Sequence, residues 1–361
     1  MTAAENQVIR KAVVQPVASS HPTTRIGLEQ YYSEAGPDYA AWSREFNMHF
    51  GYYRAGSNPL HREAMLEQMN AEVLARLQLG ANEEPRLLDL GCGLGATLRS
   101  IARCLPRALL LGLTRVPWQV ERARALNETA GCERVRVMEG DYEDTTLQSA
   151  SYDGVYALES SCHAHGVDKG ALLAEARRLL RPGGRLVVAD GFLAGGRFAN
   201  PLQQRVYRKL CECWVIEELA QLHPFTVRLE QLGFTDITVE NLQMRVAPSV
   251  AHIPWVTLRF LLTALMFGKR RMTRARWNNV LAPVLLPLAS APLGLITYCM
   301  ITAKKKLDET AAEGIDIPGP AMKLAGQFHH GSVGDFALTI LPAPLAAMNG
   351  IPDQSISIVS V

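Results

Sequence analysis

The chain has 361 residues, enough for one large domain or two small ones. Its 37 basic and 35 acidic residues leave a net charge of +2, which argues against a dedicated nucleic-acid binder. With 48% hydrophobic and 20% charged residues the composition is that of a soluble globular protein, and seven scattered cysteines suit a reducing, cytoplasmic setting better than a disulfide framework.

Residues 1–25 carry no periodicity and no sustained apolar core, so they are expected to form a flexible tail without a secretory signal. Residues 26–80 are expected to form a helical, aromatic cap. Tyr31, Tyr32, Tyr39, Trp42, Phe46, Phe50, Tyr52 and Tyr53 crowd into its first half. Such a cluster reads first as packing, although aromatic faces also suit a cationic ligand. After Ser57-Asn58-Pro59 the spacing of Leu66, Met69, Val73 and Leu77 predicts a helix.

The centre of the chain is Arg86-Leu87-Leu88-Asp89-Leu90-Gly91-Cys92-Gly93-Leu94-Gly95-Ala96-Thr97. It reads as a buried strand, a glycine turn and the start of a helix. Glycines at 91, 93 and 95 let the backbone take unusual dihedrals and approach a ligand closely. The loop is G-x-G-x-G with its acid before the glycines. A dinucleotide fingerprint places the acid about twenty residues later, and a P-loop ends in Gly-Lys-Ser/Thr. An acid ahead of the turn, without a lysine, suits an uncharged nucleoside beside an ammonium group. S-adenosylmethionine fits that description.

Downstream, strands at 108–113, 135–138, 152–158 and 185–190 alternate with helices at 116–127 and 171–180. The second helix stops at Arg181-Pro182-Gly183-Gly184. The alternation predicts an α/β, doubly wound, Rossmann-like core over 81–195. Ligands of such sheets lie at the carboxyl ends of the strands, which places the 89–95 loop, Thr114, Asp141, Glu159 and Asp190 around one crevice. Residues 196–306 are expected to insert acceptor-binding helices and supply the closing strands. Residues 200–224 look helical with Trp214 among the apolar positions, and a strand is expected at 237–242. The stretch 255–303 is the most apolar, interrupted by Lys269, Arg270, Arg271, Arg274 and Arg276. Its second part, 280–303, is uncharged and long enough to span a bilayer, but Pro283, Pro287, Pro292 and Gly294 interrupt it. The favoured reading is helices at 255–267 and 277–288 walling an apolar pocket, then a final strand at 293–302. The basic run would rest on anionic lipid. Residues 307–361 read as an irregular tail.

Several segments resemble one family. Leu88-Asp89-Leu90-Gly91-Cys92-Gly93-x-Gly95 resembles motif I of class I S-adenosylmethionine-dependent methyltransferases, Gly140-Asp141 their adenine-contacting motif, and Leu180-Arg181-Pro182-Gly183-Gly184-Arg185 their turn before the fifth strand. Gly112-Leu113-Thr114, Pro117-x-Gln119, Leu158-Glu159-Ser160-x-Cys162-His163 and Met48-His49-Phe50-Gly51-Tyr52 resemble the branch holding sterol C-methyltransferases, tocopherol-type methyltransferases and cyclopropane synthases. Thr114 stands where the general class has a ribose-binding acid, as is ordinary in that branch, with Gln119 as its partner.

The resemblance implies S-adenosylmethionine bound by Asp89, Gly91, Cys92, Gly93, Gly95, Thr114, Gln119, Asp141, Tyr142 and Glu159, and no metal. Glu159 or His163 would take the acceptor's proton, with a structural hydrogen bond as the competing role for His163. Tyr31, Trp42, His49, Tyr52, Trp214 and Trp255 are the candidate acceptor contacts, although a structural role is the favoured reading of His49. The expected acceptor is a small lipophilic isoprenoid or sterol-like molecule methylated on carbon. Its rivals are O- or N-methylation of an aromatic natural product and a non-catalytic cofactor-binding module. Nucleic acid is not an expected partner; a peripheral membrane contact and a homodimer are further expectations.

Overall fold

The computed structural model describes residues 27–80, 84–194, 198, 200–267, 271–290 and 295–307. The tail expected at 1–25, all but Leu307 of the one expected at 307–361, and Lys269 and Arg270 of the basic run lie outside these residues. Helix α1 (Leu28–Ala35) runs straight into a 3-10 turn over Gly36–Ala41, with Pro37 setting its first turn. After an irregular segment, α2 (Arg62–Leu77) begins where the His61 ring accepts the Ala64 amide and ends at Gln78 in the left-handed region. Its predicted apolar face, Leu66, Met69, Val73 and Leu77, is buried.

One mostly parallel sheet follows. It comprises β1 (Arg86–Leu90), β2 (Leu109–Thr114), β3 (Val135–Glu139), β4 (Tyr152–Leu158), β5 (Leu180–Leu193), the short β6 (Ala220–Gln221), β7 (Phe234–Asn241) and β8 (Ile296–Lys305). The spatial order is β3-β2-β1-β4-β5-β8-β7, with β6 pairing the end of β5. Order reverses between β1 and β4, the switch point where an open α/β sheet leaves a crevice. Helices α3 (Ala96–Cys104), α4 (Pro117–Thr129) and α5 (Gly170–Leu179) pack beside these strands. The central strands β1, β2 and β4 are accordingly buried along most of their length, as parallel strands covered on both faces are.

Strand β8 is antiparallel to both neighbours and fills the gap between β5 and β7. Its residues alternate between the two faces: Cys299, Ile301 and Ala303 join the core on one face of the sheet, Tyr298 and Met300 the core on the other. This settles the competition over 280–303, because α10 (Arg274–Ser290) stops before the strand begins. Among the described residues no helix is long and apolar enough to cross a membrane.

Two expectations are corrected, and one helix is new. The helical stretch 200–224 is broken: α6 (Pro201–Trp214) ends where Val215 turns left-handed at φ 57°, and α7 (Leu222–Gln231) starts only after β6. A helix not anticipated, α8 (Gln243–Val250), precedes α9 (Ile253–Phe267). Strand β5 begins at Leu180 rather than 185, and its pairing with β4 shifts register across the Pro-Gly-Gly turn.

Candidate active site

Two adjoining spaces open at the carboxyl ends of the strands. The narrower is a cleft of about 80 Å³ between the β1–α3 loop, the end of β2 and the start of α4. Its floor is a knot of main-chain bonds: the Gly91 and Cys92 amides both donate to the Leu113 carbonyl, at 3.0 and 2.8 Å. Gly91 sits at φ 97°, and a Cβ there would collide with the Ser160 side chain, whose hydroxyl donates to the Leu90 carbonyl. Gly112 serves a different need. A Cβ on it would lie 2.6 Å from both the Cys92 side chain and Leu98, so only glycine lets β2 pass beneath the loop.

Of the ten expected cofactor residues, Asp89, Gly91, Cys92, Gly93, Thr114, Gln119, Tyr142 and Glu159 line this cleft. Gly95 does not. It caps α3 at φ 73°, beneath the loop. Asp141 lies at the rim, about 40% exposed, 3.7 Å from the Arg115 guanidinium that does line the cleft. Inside, the Thr114 hydroxyl donates to the Gln119 side-chain oxygen at 2.5 Å, and the Tyr142 hydroxyl to the Ser160 carbonyl at 2.8 Å.

The electrostatics test whether S-adenosylmethionine fits. Asp89 is 3% exposed and has no ion-pair partner among the described residues. Burial pushes its carboxyl up to about 8, drawn back only partly by Tyr156 beside it. A buried acid without a countercharge, in a cleft floored by glycines, is a site that an ammonium group completes. Thr114, Gln119 and Tyr142 offer the hydroxyl, amide and ring that a nucleoside needs. The residues present therefore fit the cofactor.

The second space is a cavity of about 510 Å³, walled by the 3-10 turn and 42–50 segment, α6, α8, α9, α10 and the start of β8. Tyr32, Met48, His49, Glu159 and His163 line both spaces, so they form the partition between cleft and cavity. Glu159 leaves β4 with φ 49°, a left-handed conformation that a glutamate adopts only under constraint. The constraint is visible in its contacts. The Glu159 amide donates to the Ala189 carbonyl, and its Oε1 accepts both the Phe50 amide at 2.7 Å and the Tyr298 hydroxyl at 2.8 Å. Burial pushes this carboxyl up to about 8, with Asp190 adding to the rise and the two donors opposing it. Asp190 accepts from Ser161 Oγ, the Cys162 amide and the Gly191 amide, which anchors the turn carrying His163. His163 bonds the Tyr32 hydroxyl through Nε2 at 3.0 Å, and burial lowers its ring to about 4, so it is neutral.

Among the expected acceptor contacts, Trp42, His49 and Trp214 line the cavity. Tyr31 does not; it is fully buried behind the wall, its hydroxyl donating to Asn279 Oδ1 at 3.0 Å. Tyr52 packs beneath the Arg245 guanidinium against the core. Trp255 faces outward, 65% exposed, because the turn of α9 that aims Ile253, Val256 and Phe260 at the cavity turns Trp255 away. His49 is held by Asn47, Asn70 and the Phe50 carbonyl and is also neutral, its ring lowered by burial to about 4. Of the two groups that hold Glu159, the Phe50 amide lies in a segment noted for its aromatic rings, and Tyr298, a strand tyrosine, carries no motif.

A methyltransferase-domain family model matches residues 87–184. An O-methyltransferase of Penicillium expansum is 30% identical over 68% of this chain and 84% of its own. A 24-methylenesterol C-methyltransferase of rice is 30% identical over 70% and 64%, and an O-methyltransferase of Pyrenophora dematioidea 38% identical over 41% and 55%. The chain thus spans less than two thirds of two of these relatives. Among solved structures, a cyclopropane synthase of Mycobacterium tuberculosis superposes with TM-score 0.64 at 16% identity, covering 78% of this chain and 99% of that one. A geranyl diphosphate C-methyltransferase of Streptomyces coelicolor, solved with magnesium, a geranyl thiolodiphosphate and S-adenosyl-L-homocysteine, gives 0.57 at 16%, covering 79% and 100%. With the glycine cleft, its buried acid and the reversed final strand already in place, this chain belongs to the class I S-adenosylmethionine-dependent methyltransferases.

Proposed function

We propose that the protein methylates a carbon atom of a neutral, lipophilic, isoprenoid or sterol-like acceptor. The observation that carries this reading is the composition of the cavity wall. It is dominated by aliphatic and aromatic side chains, and no lysine or arginine is among its described lining residues. Its acidic side chains are Asp38, held in a bidentate pair with Arg276, and Glu159 and Asp190, which burial holds toward the neutral form. Such a wall offers no countercharge to a phosphate or carboxylate and favours a neutral, apolar molecule.

When bound, S-adenosylmethionine supplies an electrophilic methyl group on a sulfonium. The chain's own residues do the rest. Asp89 holds the ammonium, Thr114 with Gln119 and Tyr142 hold the nucleoside, and the cavity excludes water from the reacting atoms. As a carbon–carbon bond forms at an alkene, the positive charge left on the acceptor lies among Tyr32, Trp42 and Tyr298. Glu159, at the partition, takes the departing proton when ionised, a form that gains population as pH rises toward 8. His163 positions Tyr32, its Nε2 already committed to that hydroxyl. A cytoplasmic setting accords with all seven cysteines being free thiols.

O-methylation of a phenolic natural product is the second reading, favoured by the fungal O-methyltransferase relatives. The test is transfer from methyl-deuterated S-adenosylmethionine into a neutral-lipid extract, followed by mass spectrometry and NMR of the labelled product. Deuterium on carbon is expected. Label on a phenolic oxygen would establish the second reading instead, and no transfer by enzyme that binds the cofactor would overturn both.

A further inference from the structure

The cavity accounts for only one side of α9 and α10. On α9 the opposite side presents Trp255, Leu258, Leu262 and Met266, each at least half exposed and spaced three or four residues apart on a single face. On α10, Trp277, Leu281, Val284 and Leu288 form a second exposed stripe with the same spacing. A helix apolar on both sides needs an apolar environment on both sides. The protein provides one of them among its described residues, and the outer face remains.

The charge pattern says what suits that face. From Asn241 through Leu307 the chain has ten basic residues and no acid, although acids nearly equal bases overall. Arg259 lies within the α9 stripe, and Arg271 stands exposed just before α10. Trp255 and Trp277 begin the two stripes, and an indole combines an apolar body with a polar N–H, as the boundary between water and hydrocarbon requires. Neither helix, at 15 and 17 residues, spans a bilayer. Short helices with an apolar face, tryptophans and arginines lie in the interface of an anionic membrane.

We propose that the outer faces of α9 and α10 dock on an anionic lipid bilayer, so that the acceptor cavity behind them opens toward the lipid. Only the second clause rests on the lipophilic-acceptor reading. Two other occupants are a second copy of the chain and the segment 308–361, which is acidic enough to complement the arginines. The bilayer is favoured because the two stripes each begin with a tryptophan and lie in a stretch, Asn241 through Leu307, that carries basic residues and no acid.

The test is flotation of the full chain with vesicles of phosphatidylcholine alone or with about 30 mol% phosphatidylglycerol. The expected result is binding to the anionic vesicles that falls at least about tenfold in Leu258→Glu/Leu262→Glu and, independently, in Arg259→Glu/Arg271→Glu. These positions line neither cleft nor cavity, so affinity for S-adenosylhomocysteine should stay unchanged and reports that each variant is folded. If the apolar variant does not fold, the arginine variant carries the test alone. Failure of the full chain to float, equal flotation of the variants, or a dimer in light scattering that the variants dissociate without any lipid binding would each overturn the proposal. Because the readout is lipid binding rather than methyl transfer, it leaves the acceptor assignment to stand or fall separately.

Discussion

At the scale of single residues the site turns on Glu159. Its left-handed backbone, its position on both the cleft and the cavity, and its two donors make it the group poised to take a proton. Glu159→Gln keeps the shape and an acceptor oxygen for Phe50 and Tyr298 but cannot take a proton. Turnover should fall by about 10²-fold or more, while affinity for S-adenosylhomocysteine stays within about threefold. His163→Ala should behave differently: with its ring serving Tyr32, the loss should fall mainly on the acceptor KM. Steady-state kinetics of both variants at saturating cofactor separates the roles; a larger kcat loss in His163→Ala would reverse them. Gly91→Ala probes the cleft floor. Its methyl group would meet the Ser160 side chain, so cofactor affinity measured by calorimetry should drop at least about tenfold. Much of this was legible in the sequence, since the acid, the three glycines and the Glu-Ser-x-Cys-His segment occur together. What stayed illegible was Tyr298, which reaches Glu159 across 139 positions of chain. No local pattern marks a contact that exists only after a sheet has closed.

At the scale of elements, the α/β alternation was readable because each strand is a short apolar run bounded by turn residues. The breaks were harder. Val215 ends α6 in a left-handed conformation that a β-branched residue rarely takes, so its sequence gives no stop signal. Helix α8 contains Pro248 and only eight residues, which hides it from periodicity. The cap is tied to the cavity wall by an ion pair of the same long-range kind. Arg276 of α10 bonds both Asp38 oxygens at 2.6 and 3.0 Å, each side chain under 10% exposed, with its guanidinium over the Phe260 ring. Removing one member strands a buried charge. Arg276→Met should destabilise the fold by about 3 kcal/mol, whereas Asp38→Leu/Arg276→Met should recover most of it. Urea unfolding of these two variants and of Asp38→Leu alone checks this. Two additive losses would mean that the pair is not coupled.

At the scale of the whole molecule, four buried groups contribute to how stability responds to pH. Asp89 and Glu159 are pushed up to about 8 in the fold, and in the unfolded chain both ionise near 4. Between those values the native state holds more protons than the unfolded state, so stability falls as pH rises toward 8. His49 and His163 are lowered to about 4, from about 6.5 unfolded, so their contribution is lost as pH falls below 6.5. Below 6.5 the two pairs oppose each other, and above it the histidines no longer offset the acids. The free protein should therefore lose stability between pH 6.5 and 8, by up to about 1.4 kcal/mol per pH unit for each acid, or on the order of 5 °C in Tm per unit. Ligands divide that slope. S-adenosylhomocysteine brings an ammonium to Asp89, lowers its pKa and should flatten the Asp89 share. 5′-Methylthioadenosine, which carries the nucleoside without the amino acid, should raise Tm but leave the slope intact. Scanning calorimetry at half-unit steps, with either ligand at saturation, reads the difference directly, and Asp89→Asn should reproduce the flattened slope with no ligand. Equal slopes with the two ligands would place the ammonium away from Asp89 and remove the basis of the cofactor orientation assigned above.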